Sequence, residues 1–477
     1  MVMVPTASVS AEESGSAEEE SWGDDDEGFG DDGDDFEFDV PSTLSVPSTQ
    51  SPYLGVTGFS RTRAGLWLER ISADPISTVR QSLDLDARGR LGTLRYVAAL
   101  HGEYDFAYAF DDRYGTPTKD TYVWQVIPGE QYISVPIADV DLTLGRQIVA
   151  WGEGDVFSPL DLVNPRDLRE PGLADLDDIR LAVLATRLGY FIGQHRFEVM
   201  VVHEGHGGLR PDPLAEYSPL RTELLNDPVA SALLRDKTLR YKALEDAFLP
   251  QNWSVFARWL YSGHGLDLGF YGARVLDRQG TIELPPTEAF AQDAIDLTLV
   301  HKTYDVIGHS GAKPHGDWLF KWEGVYEHDR PQNLGSLGQF PPSLSQGQVD
   351  LATAMLGLTY SGWTDLVIGV EGTRSLLLSD TEGLLFPLDS LALAARVSYL
   401  MLRERLRLDA AITSFGDAFE LGGLARIETT YSYVDGLKIG AALTHFQSGD
   451  EDEFGPFSGL DDLDQLIFKL RWDFTLL

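Results

Sequence analysis

VDLTLGRQIVAWGEGDVFSPLDLVNPRDLREPG, residues 140–172, is the stretch whose reading decides the fold. Val140, Leu142 and Leu144 alternate with Asp141 and Thr143, the period of two expected of a strand with one apolar and one polar face. Gly145 interrupts the alternation, so that Arg146 falls where the next apolar residue is due, and a glycine there predicts a bulge. Trp151-Gly152-Glu153-Gly154 closes the strand. Ser158-Pro159, Asn164-Pro165 and Pro171-Gly172 then punctuate a connection that cannot be a regular helix throughout. Prolines at this density predict an ordered, functional loop.

The same alternation recurs on both sides of this stretch. At the C-terminus Phe468, Leu470, Trp472, Phe474 and Leu476 alternate with Lys469, Arg471, Asp473 and Thr475. Before them, Leu437, Ile439, Ala441 and Leu443 alternate with Lys438 and Gly440, after a tight Asp435-Gly436 turn. Segments of about ten residues continue back to Tyr53, where a Pro/Ser/Thr linker ends. Short turns at 262–265, 360–363 and 434–436 are interleaved with long connections at 204–252, 277–292, 328–347, 378–390 and 447–462. One turn, 305–315, is longer than that rule wants. Short turns on one side and long loops on the other are the topology of a transmembrane β-barrel. The count is about 18 strands, or 16 on the shorter count, because residues 91–110 read either as one long strand or as two. Both chain ends fall on the periplasmic side, and residues 140–150 run outward, so the WGE loop either emerges at the outer mouth or folds back into the lumen.

Composition agrees with this and removes several function classes. The chain has 477 residues, no cysteine, and 75 acidic against 37 basic residues. Disulfides, thiolate metal sites and cysteine nucleophiles are excluded, and a net charge of −38 argues against a nucleic-acid partner. Mean hydropathy is only −0.14, and no apolar run reaches the ~18 residues of a transmembrane helix. A membrane barrel hides its hydrophobicity in this way, because inward polar residues dilute the lipid-facing ones. Trp318-Phe320-Trp322, Trp253 to Tyr261 and Leu391 to Met401 supply the aromatic strand ends of such an exterior.

Residues 1–11 resemble the end of a secretory signal, with Val9-Ser10-Ala11 spaced for cleavage. Residues 12–52 form an acidic tail and a Pro/Ser/Thr linker expected to be disordered, with 15 acids and no Lys or Arg between 12 and 39. Residues 53–477 are the barrel, with insertions at 151–177 and 204–252. Leucines among the charges of 214–248 predict partial helix in a folded outer loop or lumen plug.

The spacing GRQ, WGE, NP-x-D and R-x-PG, from Gly145 to Gly172, resembles the signature of a proteobacterial outer-membrane β-barrel family of unknown function. Members of that family often accompany RND-type transporters of the MMPL group and LolB-like periplasmic proteins. The resemblance implies an outer membrane of a Gram-negative bacterium, insertion by the barrel-assembly machinery, and partnership with an RND-type pump and a periplasmic carrier handling hydrophobic or lipid-like cargo. A generic porin sharing the GRQ-x-x-x-WG strand end is the alternative.

Candidate functional residues fall in two groups. Arg146, Gln147, Trp151, Glu153, Asn164, Asp167 and Arg169 combine an aromatic with paired polar groups on a stiff loop, which suits a constriction; locking the loop against the wall is the competing role. Arg80, Asp84, Arg258, Asp365, Glu371, Arg396, Arg407, Arg426, Glu428 and Arg471 lie opposite the apolar faces and are expected to line the lumen. There they either select solutes by a transverse field or form a structural ion-pair network. His203-Glu204-Gly205-His206 lacks a third placed ligand and reads as a surface loop. No cofactor, metal or catalytic motif is present. The expected function is a channel or transport barrel, with a plugged docking barrel and an outer-membrane hydrolase as rivals.

Overall fold

Alternating strands with one apolar face can cross a bilayer only if every backbone group is paired, which requires a closed wall. The computed structural model describes residues 52–477 apart from 73, 174–178, 235–236, 243, 245, 339–341 and 451–453. The signal remnant (1–11) and nearly all of the acidic tail and linker (12–52) lie outside the described residues.

The chain contains β1 (Tyr53–Trp67), β2 (Ile76–Leu91), β3 (Leu94–Asp105), β4 (Trp124–Ile137), β5 (Val140–Gln147), β6 (Val183–Ile192), β7 (His195–Val202), β8 (Thr238–Lys242), β9 (Ser254–Gly263), β10 (Leu266–Leu276), β11 (Thr281–Glu283), β12 (Ala294–Val300), β13 (Thr303–His315), β14 (Trp318–Ser336), β15 (Ser343–Trp363), β16 (Leu366–Leu377), β17 (Leu391–Met401), β18 (Leu406–Phe415), β19 (Gly423–Val434), β20 (Leu437–Gln447) and β21 (Gln465–Thr475). All but β8, β11 and β12 form one sheet of 18 strands, each antiparallel to its neighbours in the wall. Pairing of β1 with β21, from Thr57 opposite Thr475 to Trp67 opposite Gln465, closes it into a barrel.

Connections at the end holding both β-wall termini are only two to four residues long. The turn at His264-Gly265 has φ of +56° and +65°, the paired positive values of a tight hairpin turn. The opposite end carries the long connections. There β8, β11 and β12 make a small separate sheet. It packs with helices Pro219–Asn226 and Pro228–Leu234 around Leu220, Leu224, Leu239, Ile295 and Leu297.

Several expected boundaries move. Residues 305–315, read as an overlong turn, belong to β13, and the turn is 316–317. Their apolar alternation is missing because the outward face carries Asp305, His309 and Lys313 beside Ile307, and at Gly311 the Trp322 ring takes the place of a side chain, where a Cβ would meet it at 2.1 Å. Residues 328–347, read as a loop, are mostly strand, since β14 and β15 stay paired out to Ser336 opposite Ser343. Beyond the bilayer no lipid selects apolar residues, so the period of two fades while the ladder persists. Residues 91–110 hold one strand, β3, and a short helix, Phe106–Phe110, whose start is capped by the Asp105 side chain accepting from Ala107 N.

The outward face is apolar, as a membrane barrel requires. Leu356 on β15 is 71% exposed and Trp472 on β21 is 59% exposed, between strands whose inward residues are charged. Leu356→Arg is expected to lower folding stability in lipid by about 2–4 kcal/mol, read as a drop in the urea midpoint of refolding into bilayers. An unchanged midpoint would mean that no lipid covers that face.

Candidate functional site

After β5 the chain turns into the lumen. Asn164 holds the neck: its Oδ1 accepts from Val149 N at 2.8 Å, and its Nδ2 donates to Gln147 O at 3.1 Å and Leu181 O at 2.8 Å. Buried Gln147 donates to Ala185 O on β6 at 3.1 Å. Gly145 makes no bulge, and its register with β4 and β6 is unbroken. A glycine is needed there because φ is +131° and a Cβ would meet Gln131 O at 2.2 Å.

Trp151 then wedges against the wall. Its ring lies 5.1 Å from Phe256, edge-on, and 5.2 Å from Tyr271, with the Arg258 guanidinium 5.4 Å from its centre. Val149, Leu160 and Val163 join it on inward Val183, Met200, Val306 and Val325. This apolar contact fixes one limb of the segment to one side of the barrel.

Two wall glutamates grip its middle. Glu323 on β14 accepts from Glu153 N at 2.6 Å, Gly154 N at 2.8 Å, Leu160 N at 3.1 Å and Ser158 Oγ at 3.0 Å. Glu371 on β16 accepts from Asp155 N at 2.6 Å, Val156 N at 2.8 Å and Phe157 N at 2.9 Å. These are charge-assisted bonds to backbone that has no other ladder. Gly152 is required beside them, since a Cβ would lie 2.5 Å from Glu323 Oε1 and φ is +90°. The Asp155 carboxylate meets Lys321 at 2.7 Å and Arg396 at 3.5 Å.

The returning limb is fixed to the other side. Glu170 pairs with Arg80 at 2.5 Å and Arg63 at 3.3 Å, on β2 and β1. Arg169 pairs with Asp167 at 2.6 Å and with Glu103 on β3 at 2.8 Å. Residues 148–173 therefore cross the lumen from the β9–β10 wall to the β1–β3 wall. They leave a cavity of about 180 Å³ against β1–β4.

Arg146 does not join this crossing. It faces outward at the rim, where it pairs bidentately with buried Glu204 at 2.9 and 2.8 Å. That pair explains how a cation occupies an apolar register position. His203 meets Thr186 Oγ1 at 2.8 Å and the Trp253 ring edge-on, and His206 packs on Phe248, so the two imidazoles serve separate contacts.

Among the expected lumen charges, Asp84 pairs with His101 at 2.7 Å, Arg258 with Glu198 at 2.9 Å, Arg407 with Asp409 at 2.9 Å, Glu428 with Lys469 at 2.7 Å and Arg471 with Asp473 at 2.6 Å. Arg426 pairs with Glu428. Asp365 is a correction: it is exposed in the β15–β16 turn with φ +61°. The turn expected at 360–363 falls two residues later, which takes Asp365 off the strand. Lys321, Glu323, Glu103, Glu170 and Arg63 belong to the site as well and are not among the candidates that the sequence offers. Lys321 and Glu323 were accessible in principle, since an outward Trp318-Phe320-Trp322 face forces their side chains inward.

Burial pushes the Glu153 carboxyl up to about 7, against the opposing pull of Lys321. Between its ordinary value of ~4.3 and 7, the docked segment keeps a proton that a released one gives up. Docking is therefore strongest in mild acid and weakens by about 3 kcal/mol by pH 8, at ~1.4 kcal/mol per unit. Protease nicking within 148–182 is expected to increase from pH 5 to pH 8, and Glu153→Gln to flatten that increase. The same slope in both proteins would refute it.

A family model described as protein of unknown function (DUF1302) matches residues 107–369. No curated protein matches the chain. Among solved structures it is similar to OccAB3 of Acinetobacter baumannii, with 10% identity and a TM-score of 0.48 over 89% of this chain and 100% of that one. It is also similar to OccK2 of Pseudomonas aeruginosa in complex with glucuronate, with 9% identity and a TM-score of 0.49 over 90% of this chain and 99% of that one.

Proposed function

The chain belongs to the DUF1302 family of proteins of unknown function, and from that premise we propose that it is a transport barrel of a Gram-negative outer membrane, passing small polar solutes through a lumen narrowed by its 148–182 segment. One observation carries the reading. A segment that could have stayed outside is drawn across a charged lumen and held by wall residues on both sides, Glu323 and Glu371 on one, Arg63 and Arg80 on the other. An ordered constriction lined by ion pairs sets width and field together, which is how pores select solutes. The charged lining favours polar solutes over the hydrophobic or lipid-like cargo implied by the resemblance of residues 145–172. An RND-type transporter and a LolB-like carrier would meet the barrel at its short-turn end.

The same fixation also favours a second reading, a plugged docking barrel. Planar-bilayer recording of the refolded protein separates the two. Discrete conductance steps are expected of the transport barrel. Verified insertion with no steps at any voltage would leave the plugged barrel.

A further inference from the structure

We propose that His328, Asp329 and Asp350 form a binding site for a first-row transition-metal dication of the Zn²⁺ type, on the outward face of the barrel toward its long-loop end. The three residues meet because the ladder is irregular there. Between Glu327 and Arg330 the pairing of β14 with β15 shifts register, so that His328 and Asp329 both stand against Asp350, the two-against-one count of a β-bulge. Each of the three side chains offers one donor atom, and these atoms lie within 4.8 Å of one another. His328 Nδ1 is 2.8 Å from Asp350 Oδ1, and His328 Nε2 is 3.5 Å from Asp329 Oδ2. Two donors held ~2.1 Å from one tetrahedral ion stand about 3.4 Å apart, so side-chain rotation alone brings the set to that spacing.

The group differs from the ion pairs of the lumen. Wall carboxylates such as Glu198 and Glu428 face Arg or Lys. Among the described residues neither Asp329 nor Asp350 pairs with Lys or Arg, and a single imidazole serves both. Two carboxylates beside one imidazole hold negative charge that a dication neutralises. The site is also reachable, since the His328 and Asp329 side chains are 51% and 57% exposed. Asp350 is oriented as a ligand is: its Oδ2 accepts from Tyr326 OH at 3.1 Å and its Oδ1 from Asp329 N at 3.1 Å, the kind of outer-shell bond that fixes a metal-binding carboxylate. An imidazole in the set suits Zn²⁺ and its neighbours in the row, whereas Mg²⁺ and Ca²⁺ take oxygen donors. β14 starts at Trp318, and His328 lies about ten residues on, the span of a transmembrane strand. A bound ion therefore staples β14 to β15 at the outer edge of the bilayer, where their pairing is interrupted. Asp350 comes from the neighbouring strand, so no local spacing in the sequence shows the set.

The inference goes beyond the transport reading and does not depend on it. Calorimetric titration of Zn²⁺, Mg²⁺ and Ca²⁺ into the full-length, tag-free barrel in detergent, freed of metal by chelation, tests it, with heat-shifted gel migration as the folding check. We expect one tight equivalent of Zn²⁺, bound at least tenfold more tightly than Mg²⁺ or Ca²⁺. His328→Gln and Asp350→Asn are each expected to weaken it tenfold or more, while His264→Gln in the β9–β10 turn leaves it unchanged. Zn²⁺ should also slow hydrogen exchange of residues 326–330 and 349–351 in the parent chain and in neither variant. Asp350→Asn removes part of the bulge's own bonding, so His328→Gln carries the test should that variant fail to fold. Unchanged Zn²⁺ affinity in His328→Gln, or Mg²⁺ or Ca²⁺ bound as tightly as Zn²⁺, would overturn the site. A barrel that binds Zn²⁺ here and never conducts would retract the transport reading and keep the site.

Discussion

Replacing Glu323 and Glu371 together by alanine is expected to raise single-channel conductance several-fold and to expose residues 153–160 to protease while the barrel stays folded. Glu371 alone accepts three backbone N–H groups, and Glu323 accepts three more and a serine hydroxyl. Each N–H left without an acceptor costs about 1–3 kcal/mol where water cannot reach it. The double substitution therefore removes about 6 kcal/mol or more from docking of the segment's middle. Both glutamates are wall residues whose own strands remain paired, so the loss falls on the segment rather than on the barrel. Glutamine at either position keeps one carbonyl acceptor and is expected to give an intermediate effect. Unchanged conductance together with an unchanged protease pattern would show that the clamp holds nothing that matters to passage.

Substituting Glu170 by glutamine is the second large effect, about 3–5 kcal/mol against the docked returning limb. Arg63 and Arg80 are direct cross-strand partners, both at least nine-tenths buried, and Glu170 is the carboxylate that the segment brings to the pair. Removing one partner from a buried ion cluster strands the others, which is the expensive way to break it. The same geometry fixes a pH dependence. Burial alone would raise the Glu170 carboxyl, but the Arg80 and Arg63 guanidiniums outweigh it and hold it below the usual carboxylate range. A depressed carboxyl stabilises above its ordinary value of ~4.3 and loses that contribution as pH falls through the folded value. This latch should therefore hold at pH 5 and open only in stronger acid, opposite in sign to Glu153. Hydrogen exchange of residues 166–172 between pH 3 and pH 7 would measure it, and a Glu170→Gln variant with wild-type protection at pH 7 would rule the latch out.

The wall was legible in the sequence because lipid on one side and water on the other write a period of two into each strand. Phe468, Leu470 and Trp472 show it most clearly, and their neighbours Lys469 and Arg471 line the lumen. Legibility fails where one of those solvents is missing. At Gly311 the Trp322 ring takes the place of an outward side chain, and at 330–336 the ladder runs beyond the bilayer, so both were read as connections. Asp365 was misplaced because a turn boundary wrong by two residues moves a side chain off the wall. The path of the 148–182 segment was legible only as far as its stiffness. Its direction depends on partners far away in the chain, such as the Glu323 carboxylate that accepts from Glu153 N and the Arg80 guanidinium that donates to Glu170, and no local pattern announces them.

The seam between β1 and β21 has a consequence for how the molecule comes into being. Of the wall strands β1 is made first and β21 last, so the ring stays broken, with two bare hydrogen-bonding borders, until β21 has been made. Loss of the final eleven residues of wall, Gln465–Thr475, would leave β20 and β1 as open borders within a hydrocarbon medium that offers them no substitute partner. A nonsense change anywhere in that segment should thus abolish insertion outright, however complete the rest of the chain.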